Sequence, residues 1–176
     1  MTMDLAVLGA VLVAMALIFI STLATGASPM PTSSVVRETM LAALPEEIDG
    51  PIYELGSGWG GLATALAGRY RASPVRAFEV SILPWAFSRA RLWVQGRPNL
   101  SFQLKNFLRA DLSQAALVVC FLTPPIMEKL RPKLEAELRP GALVVSNTFA
   151  FRGWRPIDTR TVPDVHATKV YLYRVD

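Results

Sequence analysis

A chain of 176 residues has room for one compact domain and little besides. Its net charge of +4 comes with no basic run interleaved with aromatics, so no nucleic-acid partner is expected. A single cysteine, Cys120, and a single histidine, His166, exclude an intrachain disulfide and argue against a zinc site or a Ser-His-Asp triad, and no metal is expected.

The hydrophobic content of 52% is concentrated at the start. Residues 5–24 (LAVLGAVLVAMALIFISTLA) are uncharged. As a helix this stretch spans about 30 Å, the thickness of a bilayer's hydrocarbon core. Its Leu, Ile, Val and Phe residues favour insertion by roughly −3 to −7 kcal/mol in sum. A cleaved signal peptide is the competing reading. It would want a basic leader and an apolar stretch of about 7–15 residues, whereas this one opens Met-Thr-Met-Asp and runs longer. Residues 1–24 are therefore expected to form a single-pass transmembrane anchor. No Lys or Arg precedes it and Arg37 follows it, which places the main domain on the cytoplasmic side. Residues 25–34 (TGASPMPTSS) read as a linker.

The domain, residues 35–176, opens on a helix that Thr32 or Ser33 can cap, with Val36, Met40 and Leu44 at helical spacing. Asp49-Gly50-Pro51 breaks the chain. From there strands and helices alternate. Strands are expected at 51–55, 75–80, 100–104, 116–122 and 142–149, and helices at 61–70, 81–95 and 125–138. Two further strands fall near 160–162 and 169–175, joined by a short link with no helix. Alternation implies a mostly parallel α/β sheet covered on both faces, and the short link implies an antiparallel C-terminal hairpin. That is the doubly wound, Rossmann-like pattern of class I methyltransferases.

The chemistry gathers at Glu54-Leu55-Gly56-Ser57-Gly58-Trp59-Gly60-Gly61. By spacing alone Gly56, Gly58 and Gly61 satisfy the dinucleotide fingerprint, and Glu79 stands where a ribose-binding acid is expected. Glu54 argues against pyrophosphate, because two like charges at about 4–6 Å repel by about 1–4 kcal/mol. S-adenosylmethionine carries an ammonium and a sulfonium, which the same carboxylate attracts. Gly56 and Gly58 then let the backbone approach the cofactor, Glu79 takes the ribose hydroxyls, and Val80 packs on adenine. Six arginines (Arg69, Arg71, Arg76, Arg89, Arg91, Arg97) share a stretch whose only acid is Glu79. They are either a solvated surface or a face toward anionic lipid.

On these residues the chain resembles the small lysine methyltransferases that act on the ATP synthase c-subunit and the adenine nucleotide translocase. Glu54 to Gly60 matches the family's acid-Leu-Gly-Ser-Gly-x-Gly. Phe121-Leu122-Thr123-Pro124 matches its Phe-Leu-x-Pro, and Trp154-Arg155-Pro156 matches in kind. Ser28-Pro29-Met30-Pro31-Thr32 echoes its Pro-Tyr-x-Pro-Ser/Thr without the tyrosine, and Lys105-Asn106-Phe107 replaces its Lys-Asp-Leu. The resemblance implies cofactor contacts at Thr32, Glu54, Gly56, Ser57, Gly58, Gly60, Glu79, Val80, Asn106 and Phe107. It also implies an acceptor site near Thr123 and Pro124, at the strand edge where ligands meet in open α/β sheets.

No residue stands out as the general base; Asp111 is a candidate, although a loop or helix-cap role is the preferred reading for it. Trp154 either walls a channel for the acceptor amine or packs in the core. The expected acceptor is a lysine on a membrane-associated protein. A lipid or small-molecule amine is the alternative, followed by a cofactor-binding module without catalysis and an NAD-linked oxidoreductase.

Overall fold

The structure, a computed structural model, describes residues 7–9, 11–12, 15–16 and 32–176. The expected anchor and most of the linker fall largely outside the described residues. Those seen in the anchor are helical and exposed. Among the described residues no helix is long and apolar enough to cross a membrane.

Helix α1 (Ser34–Ala43) starts at Ser33, whose hydroxyl accepts from the Val36 N–H at 3.3 Å. Ser33, not Thr32, is thus the cap. Strand β1 (Ile52–Leu55) runs into the glycine loop and α2 (Gly61–Arg69). Then come β2 (Val75–Glu79), α3 (Ile82–Gln95) and β3 (Leu100–Leu104). A short 3-10 turn at Phe107–Arg109 follows, then β4 (Leu117–Cys120) and α4 (Pro124–Glu137). The chain closes with β5 (Leu143–Asn147), β6 (Asp158–Thr161) and β7 (Lys169–Arg174).

The seven strands lie in the order β3-β2-β1-β4-β5-β7-β6. Strands β1 to β5 pair in parallel, and β7 lies antiparallel between β5 and β6. The reversal at β1, with β2 on one side and β4 on the other, opens a crevice at the C-terminal edge. Strands β1, β4 and β5 are buried along their whole length, which is why β4 and the first part of β5 read as continuous apolar runs, while β1 carries Glu54 within it. One apolar cluster joins α1, α2 and part of α3 to one face of the sheet. A second joins α4, the segment after β3, Phe151 and Tyr173 to the other. The expected doubly wound sheet with its antiparallel hairpin is the one observed.

Candidate active site

Glycine-rich backbone shapes the crevice. The Gly56 and Ser57 N–H groups donate to the Phe78 carbonyl at 3.0 and 2.9 Å, tying the loop to the end of β2. Gly58 (φ +50°) and Gly60 (φ +73°) are left-handed, a conformation that costs a side chain roughly 1–2 kcal/mol. A Cβ on Gly60 would lie 2.6 Å from Phe102 and 2.7 Å from the Ser88 hydroxyl, so α3 and β3 close on the loop only because no side chain is there. A Cβ on Gly58 would meet nothing within 4 Å, which leaves that stretch of backbone open to a ligand.

Two carboxylates flank this loop. Glu79 is buried at the end of β2. Its Oε2 accepts from the Gly58 N–H at 2.7 Å, and its Oε1 from the Val80 and Ser81 N–H groups at 2.9 and 2.8 Å. It therefore braces the loop, and its fourth lone-pair position can still accept from a ligand. Glu54 is buried in β1, and its Oε2 has no hydrogen-bond partner among the described residues; neither has the buried Ser57 hydroxyl. Burial pushes the Glu54 carboxyl up to about 8, opposed by the Ala63 N–H and assisted by the negative charge of Glu79. A buried acid in want of a donor suits a cationic ligand. At the start of α2, the half-buried Arg37 of α1 brings its Nη1 to 3.7 Å from the point where a Gly61 Cβ would stand. The carboxylate and the guanidinium together offer an ammonium partner and a carboxylate partner. In the sequence Arg37 reads only as a flanking charge. Its approach to the loop depends on how α1 packs, and no local motif signals it.

The remaining expected cofactor residues divide. Val80 is exposed beside Glu79, and Asn106 is exposed just past β3. The Asn106 side chain accepts from the Leu108 N–H at 2.9 Å and so caps the 3-10 turn. Phe107 lies in the 3-10 turn with its ring in the buried apolar cluster. Thr32 is half-exposed, and the described residues do not bring it to the loop.

At the neighbouring strand ends, Thr123 and Pro124 open α4, with Pro124 in the first turn where its missing N–H costs nothing. Pro124, Met127, Glu128 and Arg131 face Phe149, Ala150 and Arg152 across a pocket of about 350 Å³. The wall beyond β5 turns sharply at Thr148, whose φ of 68° is strained for a β-branched residue. Arg131 secures that wall by donating to the Arg152 carbonyl at 2.9 Å, and Arg152 pairs with Glu128 at 3.3 Å. Trp154 stands behind it. Its ring packs on Phe151 and Tyr173 at 4.9 and 5.5 Å, and its N–H donates to Glu135 at 2.7 Å. Trp154 is thus a buttress of the pocket and not part of its lining. Apart from Pro124, no motif in the sequence marks these pocket residues, since α4 and the Phe149–Arg152 stretch meet only in the fold.

Asp111 takes the loop role preferred for it in the sequence. It is fully exposed, and hydrogen bonds from the Ser113 hydroxyl and then from the Ser113 N–H, at 2.9 Å, hold its carboxyl below the usual range. Its neighbour Leu112 donates to Glu137, the last residue of α4, at 2.8 Å. That end of α4 lies at the N-terminal edge of the sheet, so Asp111 is a turn residue on the side away from the crevice. Among the described residues no cluster of His, Cys, Asp and Glu could hold a metal ion.

The sequence from residue 54 to 158 matches the family model described as the ANTKMT methyltransferase domain. A protein-lysine N-methyltransferase of Saccharolobus islandicus (strain REY15A) is 33% identical over 146 residues, which cover 82% of this chain and 91% of that protein. The ATP synthase c-subunit lysine N-methyltransferase of Rattus norvegicus is 34% identical over 113 residues, 62% of this chain and 50% of that protein. The matched part thus spans half the length of the rat protein. Among solved structures, an RNA methyltransferase from Salinibacter ruber in complex with S-adenosyl-L-homocysteine superposes with a TM-score of 0.75 at 28% identity, covering 83% of this chain and 94% of that one.

Proposed function

We propose, because the chain belongs to the ANTKMT methyltransferase domain family and is an S-adenosylmethionine-dependent methyltransferase, that it methylates lysine side chains of a membrane-associated protein. The observation that carries the lysine reading is the likeness to the archaeal protein-lysine N-methyltransferase across nearly the whole of that protein.

Glu54 would hold the ammonium of the cofactor and Arg37 its carboxylate, with Gly56, Ser57, Gly58 and Gly60 giving backbone access. Glu79 would take the ribose, with Val80 and Asn106 on the adenine side. The bound cofactor supplies an electrophilic methyl group on sulfonium, and the chain's task is to bring a neutral amine in line with it. The pocket at Pro124 suits that task. The apolar Met127 and Phe149 favour the uncharged amine once water is displaced, and the guanidinium groups of Arg131 and Arg152, with Glu128 already paired to Arg152, disfavour its protonated form. Trp154 holds the wall in place.

Residues 1–24 would anchor the chain once in the membrane, with the catalytic domain in the cytoplasm. The support is an uncharged stretch of bilayer length followed, not preceded, by arginine. Shared confinement with a membrane-bound acceptor raises effective concentration.

The test is labelling of membranes by the full chain with a radioactive methyl donor, followed by hydrolysis and fractionation. Label in methyl-lysine is the expected result. Label in chloroform-extractable lipid would establish the amine-lipid alternative, and label in RNA would carry over the substrate of the Salinibacter enzyme. Binding of S-adenosylhomocysteine without transfer to any fraction would reduce the chain to a cofactor-binding module.

A further inference from the structure

Helix α3 is built the wrong way round for a solvated surface helix. Such a helix turns its apolar stripe to the core and its charges to water. At about 100° per residue, Ile82, Trp93, Val94 and Phe87 fall within one arc of about 140°. That arc faces outward: Trp93 is 88% exposed, Val94 79%, Ile82 60% and Phe87 51%. The inward arc includes Pro84 and the polar Ser88, whose hydroxyl donates to the Gly58 carbonyl at 3.3 Å. Arginines border the apolar arc on both sides, Arg89 roughly 20° beyond Ile82 and Arg91 roughly 40° beyond Phe87.

The charge around this helix has one sign. Between Val80 and Ala110 the chain carries Arg89, Arg91, Arg97, Lys105 and Arg109 and no acidic residue. An apolar stripe with arginines at its borders and an exposed tryptophan near one end has the make-up of a helix lying in a membrane interface. There the indole and aliphatic groups sink to the acyl boundary and the guanidinium groups stay among the phosphates. A nucleic acid could stack on Trp93 and Phe87 beside the same arginines, but it would leave the aliphatic Ile82 and Val94 uncovered, whereas a bilayer takes the whole stripe.

We infer that the outward face of α3 docks on a bilayer of anionic phospholipid, as a contact separate from the N-terminal apolar segment. Phe87 meets Trp59 of the glycine loop edge-on at 5.5 Å, so docking brings the cofactor crevice down to the lipid surface. The inference does not rest on lysine as the acceptor.

The experiment uses the full chain with an environment-sensitive fluorophore at Trp93→Cys. Cys120 is the only natural cysteine and is fully buried, its thiol pushed up to about 12, so the label goes to position 93. Gln114→Cys, an exposed position before β4 and outside α3, is the control, and Val94→Cys on the same stripe replaces Trp93→Cys should that variant not fold. Calorimetric binding of S-adenosylhomocysteine reports separately whether the domain is intact.

With vesicles of phosphatidylcholine and phosphatidylglycerol, the fluorophore at 93 is expected to shift to the blue, and the one at 114 is not. The shift should fade in vesicles of phosphatidylcholine alone and in high salt. Arg89→Gln and Arg91→Gln should each lower the docked fraction relative to the free by about fivefold. No shift at 93, or the same shift at 93 and 114, overturns the inference, as does a shift indifferent to lipid charge. A shift produced by RNA and not by vesicles assigns the face to nucleic acid instead.

Discussion

Glu54 is a carboxyl group that folding places where it is least easily ionised, and this has two measurable results. Its pKa rises from 4.5 to about 8, so between those values the folded chain holds a proton that the unfolded chain has lost. Stability of the cofactor-free protein should therefore fall as pH rises from about 4.5 to about 8 and level off above. Melting temperatures across that range check this, and Glu54→Gln should flatten the slope. An ammonium bound at Glu54 requires the ionised form, so binding at pH 7 should release close to one proton. Calorimetry of S-adenosylhomocysteine in two buffers of different ionisation enthalpy counts that proton, and Glu54→Gln should abolish it. Glu79 differs because backbone N–H groups already satisfy it. Removing it in Glu79→Ala deletes charge-assisted bonds of about 1.5–3 kcal/mol each, enough to weaken cofactor binding at least tenfold. Unchanged affinity would show that Glu79 serves the loop's shape alone. Arg37→Gln should weaken the same affinity without changing the proton count, since the proton belongs to Glu54.

Among the elements, the glycine loop is where backbone conformation and packing demand the same residue. Gly60→Ala would force a left-handed alanine against Phe102 and Ser88, and each of those conflicts costs roughly 1–3 kcal/mol. Denaturant midpoints should drop by more than for Gly58→Ala, whose Cβ meets open space. Gly58→Ala should instead show its loss in cofactor affinity. The loop, the strands and the helices are legible without the fold, because β4 and the start of β5 are apolar runs and α3 and α4 end at Gly96 and before Pro140. The Glu54 and Glu79 positions are legible too, being fixed by spacing from the glycines. What escapes is set by contacts distant in sequence. The bracing of Gly58 by Glu79 spans 21 positions. The 3-10 turn that buries Phe107 has no periodicity to betray it, and Asp111 looks available in the sequence because nothing local shows which edge of the sheet it occupies.

At the scale of the molecule, the sheet separates the two proposed sites onto opposite faces. The groups proposed for the cofactor lie on the side of α1, α2 and α3, or at the tips of β1 and β2. The pocket proposed for the acceptor lies with α4 and the connection from β5 to β6. The two meet only over the C-terminal edge, at Thr123 and Pro124. A change in the α4 layer should then disturb the acceptor and leave the cofactor alone. Trp154→Ala removes the ring that props Phe151 and Tyr173 and frees Glu135, while Arg131→Met releases the Arg152 carbonyl. Both should raise KM for the acceptor several-fold and lower kcat, because a loosened wall misplaces the amine, while calorimetric affinity for S-adenosylhomocysteine stays within about twofold of the parent. A matching loss of cofactor affinity would mean that the sheet transmits the disturbance between its faces. An unchanged KM would mean that the acceptor enters elsewhere along the edge, with Glu128 and Arg152 serving only to pin α4 to the strand beyond it.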